Sequence, residues 1–278
     1  MGSMYCFHMY SAEDAVKWFA RLGFKTIDVL HARPHLLYPQ DYSKEEVKKF
    51  SELVDSYGLK VVSVTNMDGT SWLTMLHPNA KVRKWMVDHF KYGAEMASML
   101  GAKVIQVMSG EYLAGTPRDV VWRWAKEGLV EVARAAREYG VVLGIEQEAG
   151  NAIETATDTK QMIEEIGMDN VRALLDVGHS MVTFWSRFSR GGLHPVDAVY
   201  HLKDYLVHVH LHDNHGLVDE HLVPGTGLID FEGVIKALYD IGYNGYAVLE
   251  PAPIHGLVRD PVKACKDSVE YLKKFIKP

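Results

Sequence analysis

The chain has 278 residues, is 47% hydrophobic and carries a formal net charge of −6. That composition supplies a large core and excludes disorder, while the negative balance argues against a nucleic-acid footprint. Two cysteines, Cys6 and Cys265, make no disulfide framework. With neither a leader nor an apolar stretch of about 18 residues, it reads as a cytoplasmic protein with no membrane partner.

Met1-Gly2-Ser3, ahead of Met4, reads as an expression scar, which leaves residues 4–278 as one domain. Strand-like runs start near Tyr5, Thr26, Lys60, Lys103, Val141, Val171, Val207 and Tyr246. Helical periodicity fills the intervals: Ala12–Leu22, Lys44–Tyr57, Lys81–Leu100, Pro117–Tyr139, Asp158–Ile166, Pro195–Leu202, Phe231–Ile241 and Asp260–Phe275. Several of these helices stop at a glycine, as at Gly23, Gly58, Gly101, Gly140, Gly167 and Gly242. Alternation of this kind predicts the α/β class and a single (β/α)8 TIM barrel. An open doubly wound sheet is the runner-up, but it needs fewer strands and the Gly-x-Gly-x-x-Gly turn is missing after the first.

Four apolar runs in the second half close on acidic or histidine residues: Val141 to Glu146, Val171 to Asp176, Val207 to His210, and Tyr246 to Glu250. Parallel barrels do their chemistry at the carboxyl ends of the strands, where all four residues fall. Strand alternation points His208, His210 and His212 into the barrel and Val207, Val209 and Leu211 toward the helices. Carboxylates gathered this closely need a cation between them, so the pattern reads as a metal site. A hard, oxygen-rich shell with one imidazole suits Mn²⁺, Mg²⁺ or Co²⁺, and also Zn²⁺.

Five segments carry a resemblance: Ile145-Glu-Gln-Glu-Ala-Gly150, Leu175-Asp-Val-Gly-His179, His208-Val-His-Leu-His-Asp-Asn214, Asp219 through Asp230, and Val248-Leu-Glu-Pro251. In this order they resemble the xylose isomerase-like barrel superfamily, which includes sugar isomerases and epimerases, inosose dehydratase and endonuclease IV. The resemblance implies a metal on Glu146, Asp176, His210 and Glu250, with Glu146 and Glu250 also serving as acid and base. It implies a substrate contact for His179 in the epimerase branch. In the endonuclease branch, His179 instead joins Asp219 and His221 around a second metal. That branch also takes histidines from strands two to four, whereas this chain has Asn66 and Gln106-Val-Met-Ser109 at strands three and four.

The first half offers His31-Ala-Arg33-Pro-His35 after strand two, similar to an Arg-Pro-His element of fructoselysine epimerase-type relatives. Arg33 and His35 suit hydroxyl or carboxylate recognition. Trp72 and Trp185, in loops after strands three and six, are candidates to cover the apolar face of a sugar. Pro224-Gly-Thr-Gly227 either seats a phosphate or shapes the loop bearing Asp219 and His221. No Gly-x-Ser-x-Gly elbow or Walker loop occurs.

The expected activity is a divalent-metal-dependent isomerase or epimerase of a small sugar, keto-sugar or cyclitol, working by proton transfer through an enediolate. An inosose-type dehydratase uses nearly the same residues, and an endonuclease IV-like phosphodiester hydrolase or an inactive sugar-binding barrel are further alternatives. Neither the sugar nor the number of subunits is legible.

Overall fold

In a computed structural model that describes residues 1–66, 74–186 and 191–276, eight parallel strands close a barrel in sequence order. They are β1 (Gly2–Ser3), β2 (Thr26–Leu30), β3 (Lys60–Thr65), β4 (Val104–Met108), β5 (Val142–Glu146), β6 (Val171–Asp176), β7 (Leu206–Leu211) and β8 (Tyr246–Leu249). The helices are α1 (Ala12–Arg21), α2 (Lys44–Ser56), α3 (Ala80–Met99), α4 (Arg118–Glu138), α5 (Ala156–Ile166), α6 (Val177–Trp185), α7 (Pro195–Leu202), α8 (Phe231–Asp240) and α9 (Pro261–Leu272).

Local chemistry accounts for these elements. In α2, Ser43 and Glu46 form a reciprocal capping box, and Val47, Phe50 and Val54, at helical spacing, bury one stripe. The helix ends ahead of Gly58, whose φ of 67° is a left-handed conformation that glycine adopts without a Cβ clash. Strands such as β4 and β5 are buried on both faces because helices cover the outside and side chains fill the inside. The interior is partly polar. Ser3 and Ser63 donate to the buried Asp28 carboxylate at 3.3 and 2.6 Å. Burial pushes that carboxyl up to about 6, against the pull of His210 and the Ser63 hydroxyl.

Two expectations need correction. The first strand is not the run from Tyr5, which instead begins inside a 3-10 turn, Met4–Phe7. It is Gly2–Ser3, from the tripeptide set apart as a scar, pairing with both β2 and β8. The second correction is α6, which starts directly after Asp176 where the sequence suggested a loop, so Trp185 is a helix-terminal residue. Trp72 lies outside the described residues.

Candidate metal centre and active site

Strand register brings the candidate residues to one level. Asp176 pairs with His210 across β6 and β7, and Met108 with Glu146 across β4 and β5. Glu250 follows β8 and donates its backbone N–H to Leu211 at 3.0 Å. Glu146, Asp176, His210 and Glu250 are all buried, so three carboxylates surround one imidazole.

His210 Nδ1 lies 3.0 Å from Glu146 Oε1, 3.2 Å from Glu250 Oε2 and 3.7 Å from Asp176 Oδ2. These approaches lack hydrogen-bond direction: both His210 nitrogens, Glu146 Oε1 and Glu250 Oε1 are buried without a hydrogen-bond partner. Burial works against charge on the His210 ring, but Glu250 and Glu146 outweigh it and raise the ring's pKa well above the ordinary value. Burial likewise favours a neutral Glu250, yet the charge and contact of His210 hold its carboxyl below the usual range. A proton on the ring thus does what a cation would do better. The second Glu146 oxygen accepts from Gln106 Nε2, so the glutamine in the middle of β4 positions this carboxylate.

A second cluster adjoins the first through Asp176. The Asp176 side chain caps α6, accepting the His179 N–H at 2.9 Å, and lies 2.9 Å from His212 Nε2. Donor atoms of His179, His212, Asp219 and His221 all fall within 4.8 Å of one another. Asp219 Oδ2 is 2.8 Å from His221 Nε2 and 3.4 Å from His179 Nε2. The other nitrogens are fixed by backbone: His179 Nδ1 donates to the Gln147 carbonyl at 2.8 Å, and His221 Nδ1 to the Glu250 carbonyl at 2.9 Å. That leaves both Nε2 atoms turned to the site, as in metal-ligating histidines.

Here too burial opposes charge on the rings but is overcome. Asp219, with Glu250 and Asp176, raises His221 to about 9, and Asp176 and Asp219 raise His179 well above its ordinary value. Among the described residues His221 is the one non-glycine with left-handed backbone, φ 47°. Strain of that kind costs on the order of 1 kcal/mol, and here it accompanies the turn of the His221 ring toward Asp219.

Both clusters offer donors to a divalent cation, the second as a set, and the first through Glu146 and Asp176 closing within 4.8 Å on His179 and through Asp176 and Glu250 closing on His212. Their donors are carboxylate oxygens and imidazole nitrogens, and buried Glu146 Oε1, Glu250 Oε1, Asp219 Oδ1 and His210 nitrogens want a partner. Among the described residues, no histidine of strands two to four joins either cluster. His31, at the end of β2, is instead bound to Asn66 Oδ1 at 2.7 Å and the Tyr38 carbonyl at 2.9 Å.

A cavity of about 340 Å³ opens over the centre, bordered by Glu146, Glu148, Asp219 and Glu250, and by His179, His210 and His221. Tyr5, Met108 and Ile254 give it an apolar side. Arg33 and His35 do not border it. Arg33 is largely exposed and forms a two-point pair with Asp41 at 2.6 and 2.8 Å, while His35 is buried against the Phe7 and Tyr10 carbonyls. Trp185 packs over Gly216 and is also absent from the lining. Glu148 and Tyr5 were not among the sequence candidates, and His212 was expected to point into the barrel but was given no role. Strand parity carries the signal for two of them, since Glu148 follows Glu146 and His212 follows His210 at a spacing of two. Burial pushes the Glu148 carboxyl up to about 7, partly offset by His179.

A closed parallel barrel with a carboxylate–imidazole centre at the strand carboxyl ends defines a class of metal-capable barrel proteins. The model of the xylose isomerase-like TIM barrels matches residues 16–275, and the chain belongs to that family. It is 25% identical over 244 residues to a fructoselysine 3-epimerase of Shigella flexneri, covering 86% of this chain and 84% of that one. An inosose dehydratase of Erwinia tasmaniensis is 27% identical over 243 residues, covering 76% and 74%. A solved D-tagatose 3-epimerase-like protein superposes with a TM-score of 0.81 at 26% identity, over 99% of this chain and 97% of that one. No described helix is long and apolar enough to cross a membrane.

Proposed function

We propose that the protein is a divalent-metal-dependent epimerase or isomerase of a keto-sugar or cyclitol. The observation that carries this reading is the convergence of Glu146 and Glu250, from strands separated by β6 and β7, on one His210 nitrogen, each with a buried unpaired oxygen. A bound Mn²⁺, Mg²⁺, Co²⁺ or Zn²⁺ on Glu146, Asp176, His210 and Glu250 would supply Lewis-acid stabilisation of negative charge on substrate oxygen. One glutamate takes the proton from the carbon beside the carbonyl. If the opposite glutamate returns a proton to that carbon, the centre inverts; if the same one delivers it to the neighbouring carbon, aldose and ketose interconvert. His179 and His221 border the cavity and hold sugar oxygens, while Gln106 keeps Glu146 in line.

Solvent deuterium entering the carbon beside the carbonyl, with a panel of ketoses and inososes in D₂O and Mn²⁺, is the expected result. Absence of exchange across the whole panel counts against the proposal. The 27% identity to an inosose dehydratase favours one second reading, loss of water from the same enediolate. Its product is lighter by one water, so mass spectrometry of the reaction separates the two.

A further inference from the structure

We propose that a cavity on the outer face of the barrel, beside α9, binds an amphipathic monocarboxylate, with its alkyl tail against β7 and β8 and its head at Lys25 and Lys273. The site is separate from the metal-capable centre, because no residue borders both cavities.

The cavity arises in the helix layer. Elsewhere α3 packs along α4 and α7 along α8, whereas α8 and α9 do not close on one another. The outer sides of β7 and β8 are therefore left partly uncovered, and a space of about 530 Å³ remains. That volume lies within the roughly 300–1,000 Å³ of small-molecule sites. Strand alternation makes its floor apolar. Val248 shares the inward register of His210, so Ala247 and Leu249 face outward, as Leu211 does on β7. Ala247 has the smallest of these side chains, which deepens the space. Ile235 of α8, Leu272 of α9, and Leu22 and Phe24 beyond α1 complete the apolar lining. Leu22, Phe24, Val269 and Lys273 also border a second depression of about 350 Å³. The groove thus continues along α9 and leaves room for a long tail.

Charge at the border selects the head group. Lys25 and Lys273 stand there, and among the described residues no acidic side chain does. The Met1 ammonium, also at the border, is turned to the Ala247 carbonyl at 3.3 Å. The adjoining depression adds one further cation and one anion, Lys266 and Glu270. Because the whole chain carries −6, cations gathered at an apolar wall reverse the local balance. Other lysines of the two helices are paired: Lys236 with Asp240 and Lys263 with Asp267, both at 2.5 Å. Among the described residues neither Lys25 nor Lys273 has an ion pair. An apolar wall takes an alkyl chain, and exposed ammonium groups at its edge take an anionic head. A sugar or nucleotide would leave its polar groups unpaired against the same wall.

Calorimetric titration of the protein with hexanoate, octanoate, decanoate and dodecanoate, with and without Mn²⁺, tests the proposal. Each added pair of methylenes should tighten binding on the order of tenfold, and Mn²⁺ should make no difference. Decyltrimethylammonium, with the same tail and the opposite charge, should bind at least roughly tenfold more weakly than decanoate. Lys25→Gln and Lys273→Gln change exposed side chains, and each should weaken decanoate binding roughly threefold. Ala247→Phe fills the cavity and should abolish binding; if that variant does not fold, the two lysine variants decide. Absence of binding, or affinity independent of tail length, overturns the proposal. So do decanoate binding that requires Mn²⁺, an ammonium that binds as tightly as decanoate, and lysine variants that bind as wild type does. Sedimentation without ligand tests another occupant. A dimer that Ala247→Phe splits and decanoate leaves intact would make the cavity an interface between copies of the chain, and would overturn the proposal as well.

Discussion

At the scale of single residues, the centre is a set of anions balanced by protons, and this makes its titration informative. His221 is raised from 6.5 to about 9, with His179 and His210 also raised. A group whose folded pKa lies above its unfolded value stabilises the fold fully below the unfolded pKa. That contribution is lost as pH rises through the folded pKa. The metal-free protein should therefore melt at falling temperature between about pH 6.5 and 9, and Mn²⁺ should restore more of the loss at the higher pH. A flat or rising melting temperature across that window in EDTA contradicts the assignment. Substitution separates the two clusters. Glu146→Gln and Glu250→Gln should abolish proton exchange, since each removes a base and a ligand charge together. His221→Ala should weaken turnover only modestly if one ion binds, and elemental analysis should then give an unchanged metal content. A wild-type stoichiometry of two falling by one in His221→Ala refutes the single-ion assignment. The four strand-end residues were legible because each closes an apolar run, and Glu148 and His212 were within reach of the same alternation. The placements of Arg33 and His35 were not legible, because their partners Asp41, Phe7 and Tyr10 depend on how two loops fold together.

At the scale of elements, α6 shows how a short helix can organise a site while leaving little trace in sequence. Its residues Val177 to Thr183 are all buried, so no polar face marks a 3.6-residue period, and the helix reads as an apolar loop. By contrast, α2 was legible from its Ser43–Glu46 cap and its single apolar stripe. Asp176 ends β6, caps α6 and reaches His212, so the helix start and the centre share one carboxylate. Gly178 sits in the first turn, where a Cβ would come within 2.0 Å of His212 Cε1. Alanine in a helix is otherwise better than glycine by about 1 kcal/mol. Overpacking of a fixed buried ring costs about 1–3 kcal/mol, and it should win here. Gly178→Ala should lower the melting temperature and reduce metal affinity as His212 leaves Asp176. A variant more stable than wild type, with metal binding intact, would show that the ring yields freely.

At the scale of the whole molecule, closure of the barrel depends on its shortest strand. Seven strands and the alternating beat were legible from apolar runs, but a two-residue strand carries no periodicity to read. Gly2 and Ser3 pair with Ile27 and Asp28 of β2, and Gly2 also pairs with Leu249 of β8. Leu249 N donates to the Met1 carbonyl at 2.9 Å. The strand fits closely, since a Cβ on Gly2 would come within 2.2 Å of the Phe19 ring. Ser3 also supplies one of the hydroxyls that satisfy the buried Asp28. A chain starting at Met4 would leave facing edges of β2 and β8 unbridged and remove one of the donors to Asp28. Each buried polar group left without a partner costs about 1–3 kcal/mol. Several such losses in a chain of this size correspond to a fall in melting temperature on the order of 5–10 °C. Because β8 leads directly into Glu250, the same deletion should weaken metal binding at a site formed by other strands. Differential scanning calorimetry and Mn²⁺ titration of the shortened chain check both effects. Unchanged stability and affinity would mean that the barrel closes and holds its centre without these residues.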